Sequence, residues 1–190
     1  MPWAEDAKIG SMAASDVSLE SRSSLTGLIA RRLRRDAPFF LIAACVFVFD
    51  QLTKSVIRDN LALGGSWPSD DWLVRIVHVT NSGAAFGILQ GQGLFLTITA
   101  FFAIAAIAFY YIVPPLEHGL LRIALGLQLG GALGNLTDRL RFGEVTDFLQ
   151  LPHYPAFNVA DSSICIGLGV ILLFLVFAER RLAEPGPDSG

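Results

Sequence analysis

The sequence predicts a membrane all-α fold with a small extramembrane β element: four transmembrane helices, with both termini cytoplasmic. Three observations carry that expectation. The chain has 190 residues, of which 53% are apolar and 16% charged, where an average soluble domain has about a quarter charged. It contains uncharged runs long enough to cross a bilayer. Its lysines and arginines also fall unevenly about those runs, and the richer side is the cytoplasmic one.

Residues 1 to about 30 are Ser- and Ala-rich, with mixed charge and no sustained apolar period. They read as a mostly disordered extension, residues 1–36, that ends in Arg31, Arg32, Arg34 and Arg35. No basic face recurs later, so this block reads as a juxtamembrane anchor and nucleic-acid binding is not expected.

The first span is placed at residues 37–57, with Asp36 capping its start and Pro38 in its first turn. Asp50 and Lys54, four apart on one helix face, are spaced to pair. Residues 58–91 form an outer, β-rich connection. Within it residues 72–80 are β-branched and partly alternate, which argues for a strand, and Asn81-Ser82-Gly83 reads as a turn. The second span, residues 94–113, holds 20 uncharged residues and ends at Pro114-Pro115. The third, residues 120–137, repeats Gly126, Gly130 and Gly134 on one face, which lets a neighbour approach closely. The fourth, residues 162–178, closes on Glu179-Arg180-Arg181. Residues 182–190 read as a flexible tail.

Cys45 and Cys165 lie inside apolar runs and are expected to be free and buried. His78, His118 and His153 are scattered singly, so no metal site is expected.

Four spans bring Asp50, Asn81, Asp138, Asp147 and Asp161 to one membrane surface. Asp147 and Asp161 are the most informative, because each sits in an apolar setting beside a span and a carboxylate there is expensive. Two carboxylates sharing a site hold one proton between them. The ionised member can take a proton from water while the protonated member polarises a carbonyl. Asp161 also reads as an ordinary acidic residue offsetting a helix dipole. Residues alone leave open a small proton-coupled membrane transporter or an assembly factor.

Five segments together resemble the bacterial lipoprotein signal peptidase (signal peptidase II) family. They are Asp50-Gln51-Leu52-Thr53-Lys54, Asn81-Ser82-Gly83-Ala84-Ala85-Phe86, Gly131-Ala132-Leu133-Gly134-Asn135-Leu136-Thr137-Asp138-Arg139, Val145-Thr146-Asp147-Phe148 and Phe157-Asn158-Val159-Ala160-Asp161. The resemblance covers about residues 37–181. It implies an aspartic endopeptidase of the inner membrane, with its site at the outer face and no cofactor. The implied substrates are prolipoproteins carrying a diacylglyceryl cysteine, cut just before that cysteine, and membrane lipids are the implied surroundings. The catalytic pair falls on Asp147 and Asp161. Asp50, Lys54, Asn81, Gly83, Asn135, Asp138, Arg139 and Asn158 match positions that support the pair or orient substrate. The stretch from Phe148 to Ala160 is short for the family.

Overall fold

A computed structural model describes residues 3–68, 72–83, 91–112 and 118–183. The expectations for Ala84, Ala85 and Phe86, for Pro114-Pro115 and for the tail at 184–190 lie outside the described residues. The chain divides into two units, residues 1–38 and 39–190. The elements are α1 (Trp3–Asn60), β1 (Ser66–Trp67), β2 (Arg75–Asn81), α2 (Gly93–Ile112), α3 (Gly119–Phe142), β3 (Val145–Gln150) and α4 (Val159–Ala183).

The architecture is mostly helical, with one small antiparallel sheet ordered β1-β2-β3. Among the described residues, three helical segments are long and apolar enough to cross a membrane: Leu33–Asn60, Gly93–Ile112 and Val159–Phe177. Helix α3 is not among them, because Arg122, Asn135, Asp138 and Arg139 interrupt its apolar character. It is an interior helix. Its buried residues include Ala124, Leu125, Gly130, Gly131, Gly134, Asn135 and Asp138, so its neighbours take the place that lipid would otherwise have.

Glycines make that burial possible. A Cβ added at Gly126, Gly130 or Gly134 would stand 2.8, 2.6 and 2.5 Å from Phe39 O, Ala43 O and Asp50 Oδ2 respectively. The glycine stripe of α3 therefore receives α1. On the other side, a Cβ at Gly131 would stand 2.5 Å from Ala160 O, and Gly167 of α4 meets Ala124 O in the same way at 2.7 Å. Gly131→Ala is accordingly expected to push the start of α4 away, at a cost of about 1–3 kcal/mol of overpacking. A lower thermal midpoint in detergent, together with slower turnover, checks it.

The structure departs from the sequence reading at several places. Residues 3–36 continue α1 instead of lacking regular structure. No proline occurs between Trp3 and Ala37, so nothing in the backbone stops a helix there. Asp36 and Pro38 are consequently inside the helix and do not start it. Pro38 lacks the N–H that would reach the carbonyl four residues back. The third span runs on to Phe142, where Gly143 closes it at φ 81° and donates its N–H to Arg139 O at 3.0 Å. Finally, Cys45 and Cys165 are free but exposed, because helices that meet lipid turn apolar residues outward.

Strand β3 follows Gly143 directly and was not expected from the sequence. Val145, Thr146, Asp147 and Phe148 are all buried, so the in-out alternation that marks a strand is missing. It pairs with β2 in the register Val79↔Asp147, Thr80↔Thr146 and Asn81↔Val145. Beyond Gln150 the chain turns back on itself. Phe157 exchanges hydrogen bonds with Leu149, at 2.9 Å from its N–H and 2.8 Å to its carbonyl. This return delivers Asn158 to the start of α4.

Candidate active site

Helix α4 begins with a reciprocal pair. Asn158 Oδ1 accepts the Asp161 N–H at 2.9 Å, and Asp161 Oδ2 accepts the Asn158 N–H at 3.3 Å. This is a capping box made from an amide and a carboxylate. The dipole-offsetting reading of Asp161 is therefore present in the structure, alongside whatever else that carboxylate does. A second unpaired donor of the first turn, the Ala160 N–H, goes to Asp50 Oδ1 at 2.9 Å.

Asp147 is carried to the same place by β3. Its Oδ1 accepts from Asn158 Nδ2 at 2.6 Å, and its Oδ2 accepts from Asn81 Nδ2 at 2.9 Å. Asn158 thus bonds both aspartates. Asn81 is held in turn, because its Oδ1 accepts the Gly83 N–H at 2.9 Å in an Asx turn. The other Asp161 oxygen, Oδ1, accepts from Asn135 Nδ2 at 2.7 Å. Every oxygen of the two carboxylates thus has one amide donor. Each keeps a second lone pair for water or substrate.

Beneath the pair lies a charged cluster. Lys54, Asp50 and Asp138 are all fully buried. Lys54 Nζ is 2.8 Å from Asp50 Oδ2 and 3.5 Å from Asp138 Oδ2, and it donates to Asn135 Oδ1 at 2.8 Å. An ammonium only donates, so it orients the Asn135 oxygen toward itself and the NH₂ toward Asp161. Asp138 Oδ2 also accepts the Thr146 N–H at 3.0 Å, which ties β3 to α3 one residue from Asp147.

The structure brings together Asp50, Lys54, Asn81, Asn135, Asp138, Asp147, Asn158 and Asp161 through these bonds. Gly83 and Arg139 line the same cavity, of about 200 Å³, with Asn81, Asn135, Asp147 and Asp161. Residues the sequence reading passed over complete the cluster. Gln51 Nε2 reaches Asp138 Oδ1 at 3.2 Å, and Arg58 Nη1 donates to Thr146 Oγ1 at 2.9 Å. Gln51 lies inside a quoted motif, and Arg58 lies four residues after Lys54, so spacing was a usable signal for both. Among the described residues, no group of three or more His, Cys, Asp or Glu could hold a metal ion.

Burial, and then the neighbouring Asp161 carboxylate, raise the Asp147 pKa from 3.8 to about 7. Hydrogen bonds from Asn81 and Asn158 and the charge of Lys54 act against that rise. A carboxyl poised near neutrality beside a second carboxyl is equipped to trade protons with water.

A helical protein with spans long and apolar enough for a membrane and a buried pair of carboxylates is the class that this fold and this site describe. Comparison with known proteins agrees. The signal peptidase (SPase) II family model matches residues 42–177. A lipoprotein signal peptidase of Bacillus pumilus is 45% identical over 141 residues, covering 72% of this chain and 90% of the relative. One of Moorella thermoacetica is 45% identical over 150 residues, covering 78% and 99%. A bacterial membrane enzyme solved in meso at 2.3 Å superposes with TM-score 0.73 at 33% identity, covering 79% of this chain and 94% of that one. A second, solved at 1.9 Å, gives 0.66 at 35%, covering 72% and 91%. The chain belongs to the signal peptidase II family. It is an aspartic peptidase that removes signal peptides from prolipoproteins, and the transporter reading falls away.

Proposed function

We propose that Asp147 and Asp161 are the catalytic pair and that the substrate is a prolipoprotein whose cysteine already carries a diacylglyceryl group. The observation that carries this reading is the shared cradle: Asn158 donates to both carboxylates, from Nδ2 to Asp147 and from its backbone N–H to Asp161, and both line one cavity. The ionised member takes a proton from water, which attacks the scissile carbonyl. The protonated member hydrogen-bonds that carbonyl oxygen and stabilises the negative charge as it grows. The leaving amine then takes up a proton from the pair, restoring one proton between the two. Asp50, Lys54, Asn135, Asp138 and Asn158 hold the pair in place, while Asn81, Gly83 and Arg139 meet the substrate.

In this reading all four helices cross the inner membrane, both termini are cytoplasmic and the site opens at the outer face. The 24 residues of α3 amount to about 36 Å of helix, enough for the hydrocarbon core, and its Arg122, Asn135 and Asp138 are buried. Lys and Arg placement supports the orientation. Residues 1–36 and 182–190 then lie on the cytoplasmic side.

The test is mass spectrometry of a diacylglyceryl-modified prolipoprotein incubated with the purified protein in detergent. Cleavage just before the lipidated cysteine is expected, and an intact substrate beside well-folded protein would refute it. EDTA is expected to leave the rate unchanged, because the residues that meet are carboxylates and amides without ligand spacing. Metal-restorable loss of activity would overturn that.

A pH dependence follows from Asp147. Its folded-state pKa, about 7, stands above the ordinary 3.8. Its contribution to stability is therefore complete below 3.8 and is lost as pH rises through about 7. The same ionisation empties the pair of its shared proton. Turnover is thus expected to fall by about tenfold per pH unit on the alkaline side of that value. A pH–rate profile flat to pH 9 would contradict it.

A further inference from the structure

Helix α1 meets the site at three successive turns. Asp50, Lys54 and Arg58 stand four residues apart, on one face of the helix. Asp50 holds the first turn of α4 through the Ala160 N–H, and Lys54 holds Asn135 of α3. Arg58 reaches β3, the element that carries Asp147, where its Nη1 donates to Thr146 Oγ1 at 2.9 Å. The same nitrogen stands 3.6 Å from Asp138 Oδ2, and the guanidinium lies over the Phe142 ring, 4.7 Å from its centroid. Arg141 lies against that ring as well, at 5.2 Å. Arg58 therefore bridges the end of α3 and the start of β3, across the Gly143 turn.

Thr146 immediately precedes Asp147 and is 3% exposed. Its N–H goes to Asp138 Oδ2 at 3.0 Å, and its carbonyl accepts from Asn158 Nδ2 at 3.4 Å. Successive side chains of a strand point to opposite faces. With the Thr146 hydroxyl turned to Arg58, the Asp147 carboxylate is turned to the cavity, which Asp147 lines and Thr146 and Arg58 do not.

We infer that Arg58 is a positioning residue: through the Thr146 hydroxyl it fixes the rotation of β3 and so the place of the Asp147 carboxylate. This rests on the cleavage reading above. The backbone bond from Thr146 to Asp138 is one pivot, about which the strand can turn. The hydroxyl bond is a second point of attachment, on a different helix, and it removes that freedom. Arginine suits the task because its planar fork holds several donors in fixed directions while its face stacks on a ring.

The experiment measures kcat and KM for a diacylglyceryl-modified prolipoprotein, well below the thermal midpoint of each protein. Thr146→Val keeps the branched shape and removes the oxygen that Arg58 bonds. It is expected to lower kcat by about tenfold, a fraction of the hundredfold that a misplacement of about 1 Å can cost. KM is expected to stay within about twofold, because neither residue lines the cavity. Arg58→Met is expected to show the same split. Combining the two is expected to cost no more than Arg58→Met alone, since both remove one bond. Wild-type kcat in Thr146→Val would overturn the assignment, and so would losses that multiply in the double variant. A raised KM at unchanged kcat would also overturn it, by making these residues part of substrate binding. If Arg58→Met does not fold, the kcat of Thr146→Val decides alone. If the wild type cleaves no prolipoprotein, the cleavage reading fails and this assignment falls with it; if it cleaves and Thr146→Val matches it, this assignment alone fails.

Discussion

Asp147→Asn and Asp161→Asn are each expected to lower the rate of signal-peptide cleavage by about a thousandfold, in the range found when a general acid or base is removed. An asparagine cannot hold the shared proton or take one from water. The two variants differ in what else they disturb. Both oxygens of Asp147 accept from amide groups, Asn81 Nδ2 at 2.9 Å and Asn158 Nδ2 at 2.6 Å. An amide at position 147 turns one of those contacts into NH₂ against NH₂. Neither neighbour can flip freely, because the Asn81 oxygen holds the Gly83 N–H and the Asn158 oxygen holds the Asp161 N–H. Asp161→Asn meets the same conflict at Asn135, whose orientation Lys54 sets. Product masses measured beside thermal midpoints separate chemistry from folding. Either variant retaining a tenth of wild-type activity would remove that aspartate from the catalytic pair.

Lys54→Met is the substitution expected to cost most in stability, about 3–5 kcal/mol, because it leaves buried Asp50 without its cation and Asp138 with Arg58 alone, at 3.6 Å. Lys54 and both of its acidic partners, Asp50 and Asp138, are fully buried. The thermal midpoint in detergent is expected to drop by about 10 °C. The catalytic loss should exceed what partial unfolding explains. Without Lys54 the Asn135 oxygen keeps only the 3.2 Å bond from Asn158 Nδ2, so its amide is held more weakly, and a reversed amide would point its oxygen at Asp161 and repel the ionised form. Rates measured well below the midpoint isolate that second effect. Full activity in the folded fraction would show that Lys54 serves stability alone.

Much of the arrangement was legible in the sequence, for physical reasons that differ from residue to residue. The pairing of Asp50 with Lys54 follows from helical spacing, and the glycine stripe of α3 announces a close neighbour. Uncharged length marks α2 and α4. What covers α3 is a different matter. Periodicity shows that one face is small, not which helix fills it, and the polar residues of α3 lower its apolar score although they point inward. Strand β3 escaped because burial on both sides erases alternation. The continuation of α1 back to Trp3 escaped because a mixed, Ser-rich segment has no apolar stripe to mark a helix. Within the site, Asp147 and Asp161 stand out through their apolar flanks. That one amide, Asn158, would serve both of them is a matter of tertiary geometry, since it depends on the loop returning through Phe157.

The capping box at the start of α4 has a consequence for timing. Helix ends open and close more often than helix middles, and each opening is a local unfolding event with its own free energy. Here the amide protons of residues 160 and 161 are held by Asp50 and Asn158, the first ion-paired with Lys54 and the second bonded to Asp147. Fraying of that turn would scatter the proposed catalytic pair at the same instant. The exchange rate of those two amide hydrogens with solvent deuterium is therefore a clock for how often the enzyme is momentarily disarmed, read without any substrate present.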